Sequence, residues 1–352
     1  MIRVLVVEDS PSIREFLIYI LSQDPQISIA GTAENGEDAI KATLRLKPDI
    51  VTMDIHMPKM DGFEATRRIM ETQPTPIVIV SGSNSVGEVS VALRTMEVGA
   101  LAIVSRPYGL GHPQHAASAK ELVQTVKLMA GVKVVRHWPK HQAKTESLPL
   151  PPVIAGRITG GIELVAIGGS TGATTVLQTI LCGLPRNLPV PVLMVQHMST
   201  GFIQGFSEWL TDTTAFPTSV AIHGETILPG HAYIAPEGFH MGVDNKRRIV
   251  YSKGDPENGA IPSVSHLFRS VEQVFGNHAI GVLLSGMGKD GADELRMLKN
   301  AGAVTIAQDK ESSVVYSMPG EAVKLGAATY IMPPEEIAAA LVDLVKGQSK
   351  AG

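Results

Sequence analysis

The sequence predicts an α/β protein made of two doubly wound parallel-sheet domains. Three observations carry this reading. The chain has 352 residues, more than one small domain holds. Short Val/Ile-rich runs alternate with amphipathic stretches in both halves, and those runs are too apolar to face water on either side. The alternation breaks at Val132 to Gly161, where VKVVRHWPKHQAKTESLPLPPV is basic, polar and proline-rich, as suits a semi-extended connection. The expected bounds are a first domain at 1–131, a linker at 132–161 and a second domain at 162–349.

In the first domain IRVLVV, ISIAGTA, DIVTMD, PIVIVS and ALAIVS read as five strands, with PSIREFLIYILSQ and GEDAIKATLRL as helical stretches between them. In the second, ELVAIG reads as a strand, ATTVLQTILCGL as a helix and PVPVLMVQ as the next strand. HAYIAP, AIGVLLSG and AVTIAQ follow as strands. MGVDNKRRIVYS reads as a β-hairpin insertion turning at Asp244-Asn245.

Bulk properties exclude several classes. Net charge is −4, from 30 basic against 34 acidic residues, and no dense Lys/Arg stripe lies along one helix, so nucleic acid is not an expected partner. The lone cysteine, Cys182, excludes an intramolecular disulfide and fits a reducing, cytoplasmic compartment. MIRVLVVEDS reaches acidic residues too soon for a signal peptide. No apolar run approaches the roughly 18 residues of a span, so a soluble protein without membrane insertion is expected.

In open parallel sheets ligands sit beyond the carboxyl ends of the strands. Those ends carry Glu8 and Asp9, then Asp54, Ser81 and Arg106. Three carboxylates at one rim repel each other unless a hard divalent cation such as Mg²⁺ sits among them. Such a cation would leave Asp54 as a nucleophile for a phosphoryl group, with Ser81 and Arg106 placed to meet its oxygens. A single acid there is usually only a solvated strand end. The ordered set, with Pro58 and the Lys59-Met60-Asp61-Gly62 turn, points further.

LVVEDS, MDIHMPKMDG, IVIVSG and SRP resemble the corresponding segments of response-regulator receiver domains, which are flavodoxin-like, over about residues 1–130. The resemblance implies Asp54 as the phosphorylation site, Glu8 and Asp9 as Mg²⁺ ligands beside it, and Ser81 as the switch hydroxyl. Two positions depart from the family: Arg106 stands where Lys is normal, and Ile103 where an aromatic residue is usual. Arg keeps the charge but presents a planar fork in place of a compact ammonium.

In the second domain Gly168-Gly169-Ser170-Thr171-Gly172 fits G-x-S-x-G between a strand and a helix, a turn that exposes a serine hydroxyl beside free helix N–H groups. A glycine-rich phosphate-binding turn is the competing reading. PVPVLMVQ ends in His197, and strand succession puts it beside Ser170. AIGVLLSG runs into Gly286-Met287-Gly288-Lys289-Asp290-Gly291 and offers Asp290 at the same rim. Together they make a Ser–His–Asp set, in which His197 takes the Ser170 proton and Asp290 holds the imidazole. The chain order Ser…His…Asp disfavours the α/β-hydrolase fold.

These motifs, with Ala235-Pro236-Glu237, Thr305-Ile306-Ala307-Gln308-Asp309, Ser313-Val314-Val315-Tyr316 and Met318-Pro319, resemble the protein-glutamate methylesterase domain. Joined to a receiver, the whole resembles the CheB family of chemotaxis response regulator methylesterases. The family usually reads Gly-Ala-Ser-Thr-Gly-Gly, so Gly169 and Ala173 are small-for-small changes. The resemblance implies an oxyanion site from the backbone of Thr171 and Met287, and no cofactor for ester hydrolysis. It implies the cytoplasmic domain of chemoreceptors as substrate, glutamine deamidation as a second reaction, and a histidine kinase as phosphodonor. The rival reading is a non-catalytic regulator that binds a partner through the same cleft. A DNA-binding output domain lacks its basic helix.

Cys182 is expected as a packed thiol in the helix after Ser170. Pro139 between His137 and His141 prevents their alignment as ligands, and with His112 and His115 they make no expected metal site. His240 in APEGFH either lines the cleft or supports it from behind.

Overall fold

The computed structural model describes residues 1–82, 86–132, 134 and 161–346. The chain divides into two compact units, Met1–Thr145 and Glu146–Gly352, within the expected linker. Nearly all of that linker, with His137, Trp138 and His141, lies outside the described residues.

The first unit alternates β1 (Ile2–Val7), α1 (Pro11–Ser22), β2 (Ile27–Ala33), α2 (Gly36–Leu46), β3 (Ile50–Met53), α3 (Gly62–Thr72), β4 (Ile77–Ser81), α4 (Val86–Glu97), β5 (Ala102–Ser105) and α5 (His115–Met129). All its strand pairs are parallel, in the order β2-β1-β3-β4-β5. Every residue of β3 and β4 is buried, as strands covered on both faces require. Helix starts are set locally: the Asn35 and Asp61 side chains accept the amide N–H groups of Asp38 and Glu64, capping α2 and α3. The strand order reverses direction between β1 and β3, and the crevice at their carboxyl ends holds the acidic residues. Gly62 closes that crevice, since a Cβ there would lie 2.0 Å from the Asp54 carbonyl oxygen.

The second unit runs β6 (Leu164–Gly169), α6 (Thr174–Gly183), β7 (Val192–Gln196), α7 (Ile203–Thr214), β8 (Thr218–Val220), β9 (Ala232–Ile234), β10 (His240–Val243) and β11 (Ile249–Ser252). It continues with α8 (Val264–Phe275), β12 (Ala279–Leu283), α9 (Ala292–Asn300), β13 (Val304–Gln308), α10 (Met318–Lys324), β14 (Tyr330–Met332) and α11 (Pro334–Lys346). A seven-stranded sheet has the order β14-β13-β12-β6-β7-β9-β8, with parallel pairs throughout. β10 and β11 form the expected antiparallel hairpin, turning at Asp244 and Asn245. The order reverses at β6, which has β12 on one side and β7 on the other, so the crevice again opens at the ends of the strands that carry the candidate residues.

Two strands were not read from the sequence. β8 is three residues long with no fully buried position, and β14 is a three-residue edge strand, so neither leaves an apolar run. Cys182 corrects an expectation: it is exposed. The buried stripe of α6 runs through Val176, Leu177, Ile180 and Leu181, and position 182 falls off that stripe. No described helix is long and apolar enough to cross a membrane.

Candidate active site

Ser170 follows β6 directly. Its amide donates to the Ser285 carbonyl, and its own carbonyl accepts the Ala173 amide at 3.0 Å. That four-residue turn places Gly172 at φ +82°, a left-handed conformation that glycine adopts at no steric cost. A side chain on Gly172 would also meet Val314 at 2.5 Å. Helix α6 starts immediately after the turn. The sharp strand-to-helix turn expected from G-x-S-x-G is therefore present, and Ser170 is 8% exposed at its tip.

His197 stands at the end of the neighbouring strand. β6 and β7 are in register through Gly169 and Gln196, and the His197 amide donates to the Gly169 carbonyl at 3.0 Å. The two following residues, Ser170 and His197, therefore leave adjacent strand ends side by side. Gln196 fixes both, donating from Nε2 to the Ser170 carbonyl at 2.9 Å and to the His197 carbonyl at 3.0 Å.

Asp290 reaches the same rim from the turn after β12. His197 Nε2 lies 3.1 Å from its Oδ2. Val264 N donates to Oδ2 at 2.7 Å, while Ser263 Oγ, Ser265 N and Asn258 Nδ2 donate to Oδ1 at 2.8, 3.1 and 3.3 Å. Burial alone would raise the pKa of this carboxyl; the hydrogen bonds and charge of His197, with those of Ser265 and Ser263, hold it below the usual carboxylate range instead. A charged carboxylate only accepts, so the Nε2–H of His197 donates to Asp290 and leaves Nδ1 as the ring nitrogen not engaged by this acid.

The glycines set how closely these pieces approach. A Cβ on Gly286 would lie 2.7 Å from the Ser170 Cβ, which puts Met287, the next residue, beside the nucleophile. A Cβ on Gly168 would meet Val264 at 2.2 Å, and one on Gly291 would meet it at 2.5 Å. Their absence lets the N-terminus of α8 settle on the end of β6 and aim its amides at Asp290. Met287 is half exposed, and Thr171 accepts a hydrogen bond from Ser285 Oγ at 2.8 Å.

Sequence reasoning missed the polar frame behind the triad. Ser263, Ser265 and Asn258 carry no motif of their own, and only the fold brings them there, while Gln196 reads in the sequence only as the strand end before His197. Gln308 was quoted only within a longer run; its Oε1 accepts the Ser285 amide at 2.8 Å. Glu237 accepts the Gly201 amide at 2.7 Å and so fixes the loop after His197. His240 is buried behind Asp290.

In the first unit Glu8, Asp9 and Asp54 come together as expected, with one carboxylate oxygen from each within 4.8 Å of the others. Burial first, then the nearby Asp54 charge, pushes the Glu8 pKa up to about 7. Burial raises that of Asp54 as well. Burial thus disfavours the charged form of both groups, and three hard oxygen donors fit a hard divalent cation. Arg106 reaches into the pocket, its Nη2 at 3.4 Å from Glu8 and 4.0 Å from Asp54. Its amide donates to the carbonyl of Ser81, which is buried at the end of β4. Ile103 occupies β5. His112 stacks on Tyr108 and His115 bonds the Tyr108 carbonyl; neither belongs to a metal-binding group among the described residues.

Comparison with known proteins agrees with this arrangement. The family described as CheB methylesterase matches residues 165–341, and the response regulator receiver domain matches residues 4–117. A protein of Nitrosospira multiformis, named protein-glutamate methylesterase/protein-glutamine glutaminase, is 53% identical over 355 residues and covers 100% of both chains. One of Geobacter metallireducens with the same designation is 54% identical, covering 98% of this chain and 99% of its own. The crystal structure of the Thermotoga maritima CheB methylesterase catalytic domain is 36% identical, with a TM-score of 0.51 over 53% of this chain and 100% of its own. With a receiver at one end, a methylesterase domain at the other and full-length relatives at this identity, the chain belongs to the CheB methylesterase family.

Proposed function

We infer that this chain is a phosphorylation-regulated protein-glutamate methylesterase, a serine hydrolase acting in chemotaxis adaptation. It hydrolyses glutamyl methyl esters on the cytoplasmic domain of chemoreceptors and deamidates selected receptor glutamines. The observation that carries this reading is the 3.1 Å link from Asp290 to His197, at the strand end next to Ser170. A partner-binding cleft has no use for a buried carboxylate aimed at one imidazole, and full-length relatives are named as methylesterases, so the non-catalytic alternative is set aside.

Ser170 Oγ attacks the ester carbonyl and gives its proton to His197 Nδ1. The carbonyl electrons move onto oxygen, which faces the amides of Thr171 and Met287. The tetrahedral intermediate collapses, the C–O bond to methoxide breaks, and His197 returns the proton so that methanol leaves. Water then attacks the acyl-serine, with His197 taking and returning a proton as before, and the glutamate carboxylate is released. With a glutamine amide the leaving group is ammonia. No cofactor enters these steps.

In the receiver, taken as residues 1–131 with a linker to 161 and the catalytic domain at 162–349, Glu8, Asp9 and Asp54 would hold Mg²⁺. When bound, the ion neutralises charge on the incoming phosphoryl group. Asp54 accepts that group from a chemotaxis histidine kinase, Arg106 offers its guanidinium to the phosphoryl oxygens, and Ser81 is the switch hydroxyl. A lone cysteine, which cannot pair within the chain, fits a cytoplasmic place of work. The deciding measurement is methanol release from methylated receptor membranes. Ser170→Ala abolishes it if the reading holds, and turnover that survives the substitution defeats it.

A further inference from the structure

The turn that holds Asp290 is held in its own place by an imidazole that ester hydrolysis does not use. His240 opens β10 and is 2% exposed. Its Nδ1 lies 3.2 Å from the Ser263 amide nitrogen, and its Nε2 lies 3.1 Å from the Asp255 carbonyl oxygen. An amide N–H only donates and a carbonyl only accepts. One form of the ring satisfies both partners: the neutral tautomer with a bare Nδ1 and a protonated Nε2. In the imidazolium both nitrogens carry protons, and Nδ1–H would face the Ser263 N–H, donor against donor.

We propose that neutral His240 is a positioning residue for the esterase reaction. By accepting the Ser263 amide it fixes the 263–265 turn, whose hydroxyl and amides hold Asp290 toward His197. The proposal rests on the hydrolase reading given above.

The neighbours of the ring hold it in place. From α8, the His266 ring stacks on it with centroids 4.9 Å apart and planes at 19°. Arg269, also on α8, bonds Glu257 and pairs with Glu294 at 3.0 Å. Glu257 in turn meets His266 Nδ1 at 3.3 Å, and Asp290 lies beyond Ser263. Burial first, with the nearby His240 ring, lowers the pKa of His266. His240, Glu257 and His266 lie close enough to hold a metal ion. Every ring nitrogen there, however, already has a protein partner, and Arg269 supplies the carboxylate with a cation. The group is a hydrogen-bonded frame.

The test uses the full chain, activated with a small phosphodonor, with methanol release from methyl-esterified receptor membranes read as separate kcat and KM across the pH range. His240→Ala lowers kcat about tenfold or more and leaves KM within about twofold, because Asp290 never touches substrate. His240→Asn sets an amide oxygen where Nδ1 stood and restores most of kcat. His240→Gln reaches instead to the Nε2 position, keeps the Asp255 link and stays low. Equal kcat in the Asn and Gln variants, or parental kcat in the Ala variant, overturns the proposal. If the Ala variant does not fold, the Asn and Gln pair decides alone. Turnover persisting in Ser170→Ala would bring down the hydrolase reading itself; an inactive Ser170→Ala with indistinguishable Asn and Gln variants removes only the role of His240.

Discussion

Asp290 sits where a carboxylate alone would become neutral, and the five donors around it reverse that outcome. Replacing it with Asn keeps the shape but turns a pure acceptor into a group with two N–H donors. The His197 tautomer then loses its anchor, and kcat should fall by about 10³ to 10⁴. The stability effect has a definite sign. The folded pKa is depressed, so the charged form stabilises the fold at every pH above the unfolded value, about 3.9, and that contribution is lost as pH falls through the lower folded value. The Tm gap between parent and Asp290→Asn should be flat from about pH 5 upward and narrow below about pH 4; a gap that widens in acid contradicts the assignment. Gly286 makes a steric case at the same scale. A methyl there would lie 2.2 Å from Met318 Sδ and 2.7 Å from the Ser170 Cβ. Gly286→Ala should cost roughly 1–3 kcal/mol in stability and most of kcat, since something must shift and the serine is one of the two neighbours. Thermal unfolding and methanol release together check it.

At the scale of elements, α8 joins folding to chemistry. Ser263 caps it by accepting the His266 amide, and the same hydroxyl donates to Asp290. Ser263→Ala should therefore lower stability by about 1 kcal/mol, the ordinary worth of a cap, and reduce kcat as well. A fall in stability with unchanged kcat would show that the second bond is idle. This doubling of roles marks the limit of what the chain discloses before folding. The buried strands were legible because each is a short apolar run closed by a polar residue, and the strand-end rule placed Glu8, Asp54, Ser170 and His197 without coordinates. β8 and β14 were not legible, because three-residue edge pieces bury too little to leave a pattern. The frame of Ser263, Ser265 and Asn258 was hidden for a different reason, whereas His240 stands out in the sequence within its APEGFH loop. Serines and asparagines are common in loops, and only a long-range approach, with 32 positions between Asn258 and Asp290, makes them supports for a catalytic acid. Cys182 shows the opposite error: a cysteine in an apolar helix invites a core reading, but a 3.6-residue period decides the face, and its position is off the stripe.

At the scale of the molecule, one unit holds a carboxylate trio and the other the Ser170, His197 and Asp290 set proposed for hydrolysis. Among the described residues, the hydrogen-bond partners given above for Ser170, His197 and Asp290 belong to the second unit. The receiver pocket brings three carboxylates together, and burial raises the pKa of Glu8 and of Asp54 there, a cost that the proposed divalent cation would offset. A phosphoryl group on Asp54 replaces a singly charged carboxylate with a more highly charged acyl phosphate, about one further negative charge in that pocket, and a bias of a few kcal/mol between two states is enough to shift most of a population. Control and catalysis should therefore separate cleanly. Asp54→Asn should leave the unstimulated esterase rate unchanged within about twofold and abolish the rise that a small phosphodonor produces in the parent. Chelating Mg²⁺ with EDTA should do the same to the unsubstituted protein, since Glu8, Asp9 and Asp54 lose their counter-ion while Ser170, His197 and Asp290 lose nothing. Methanol release measured with and without phosphodonor, before and after chelation, gives four rates from one preparation. If EDTA lowers the unstimulated rate, the hydrolytic steps depend on a metal that the triad geometry does not call for.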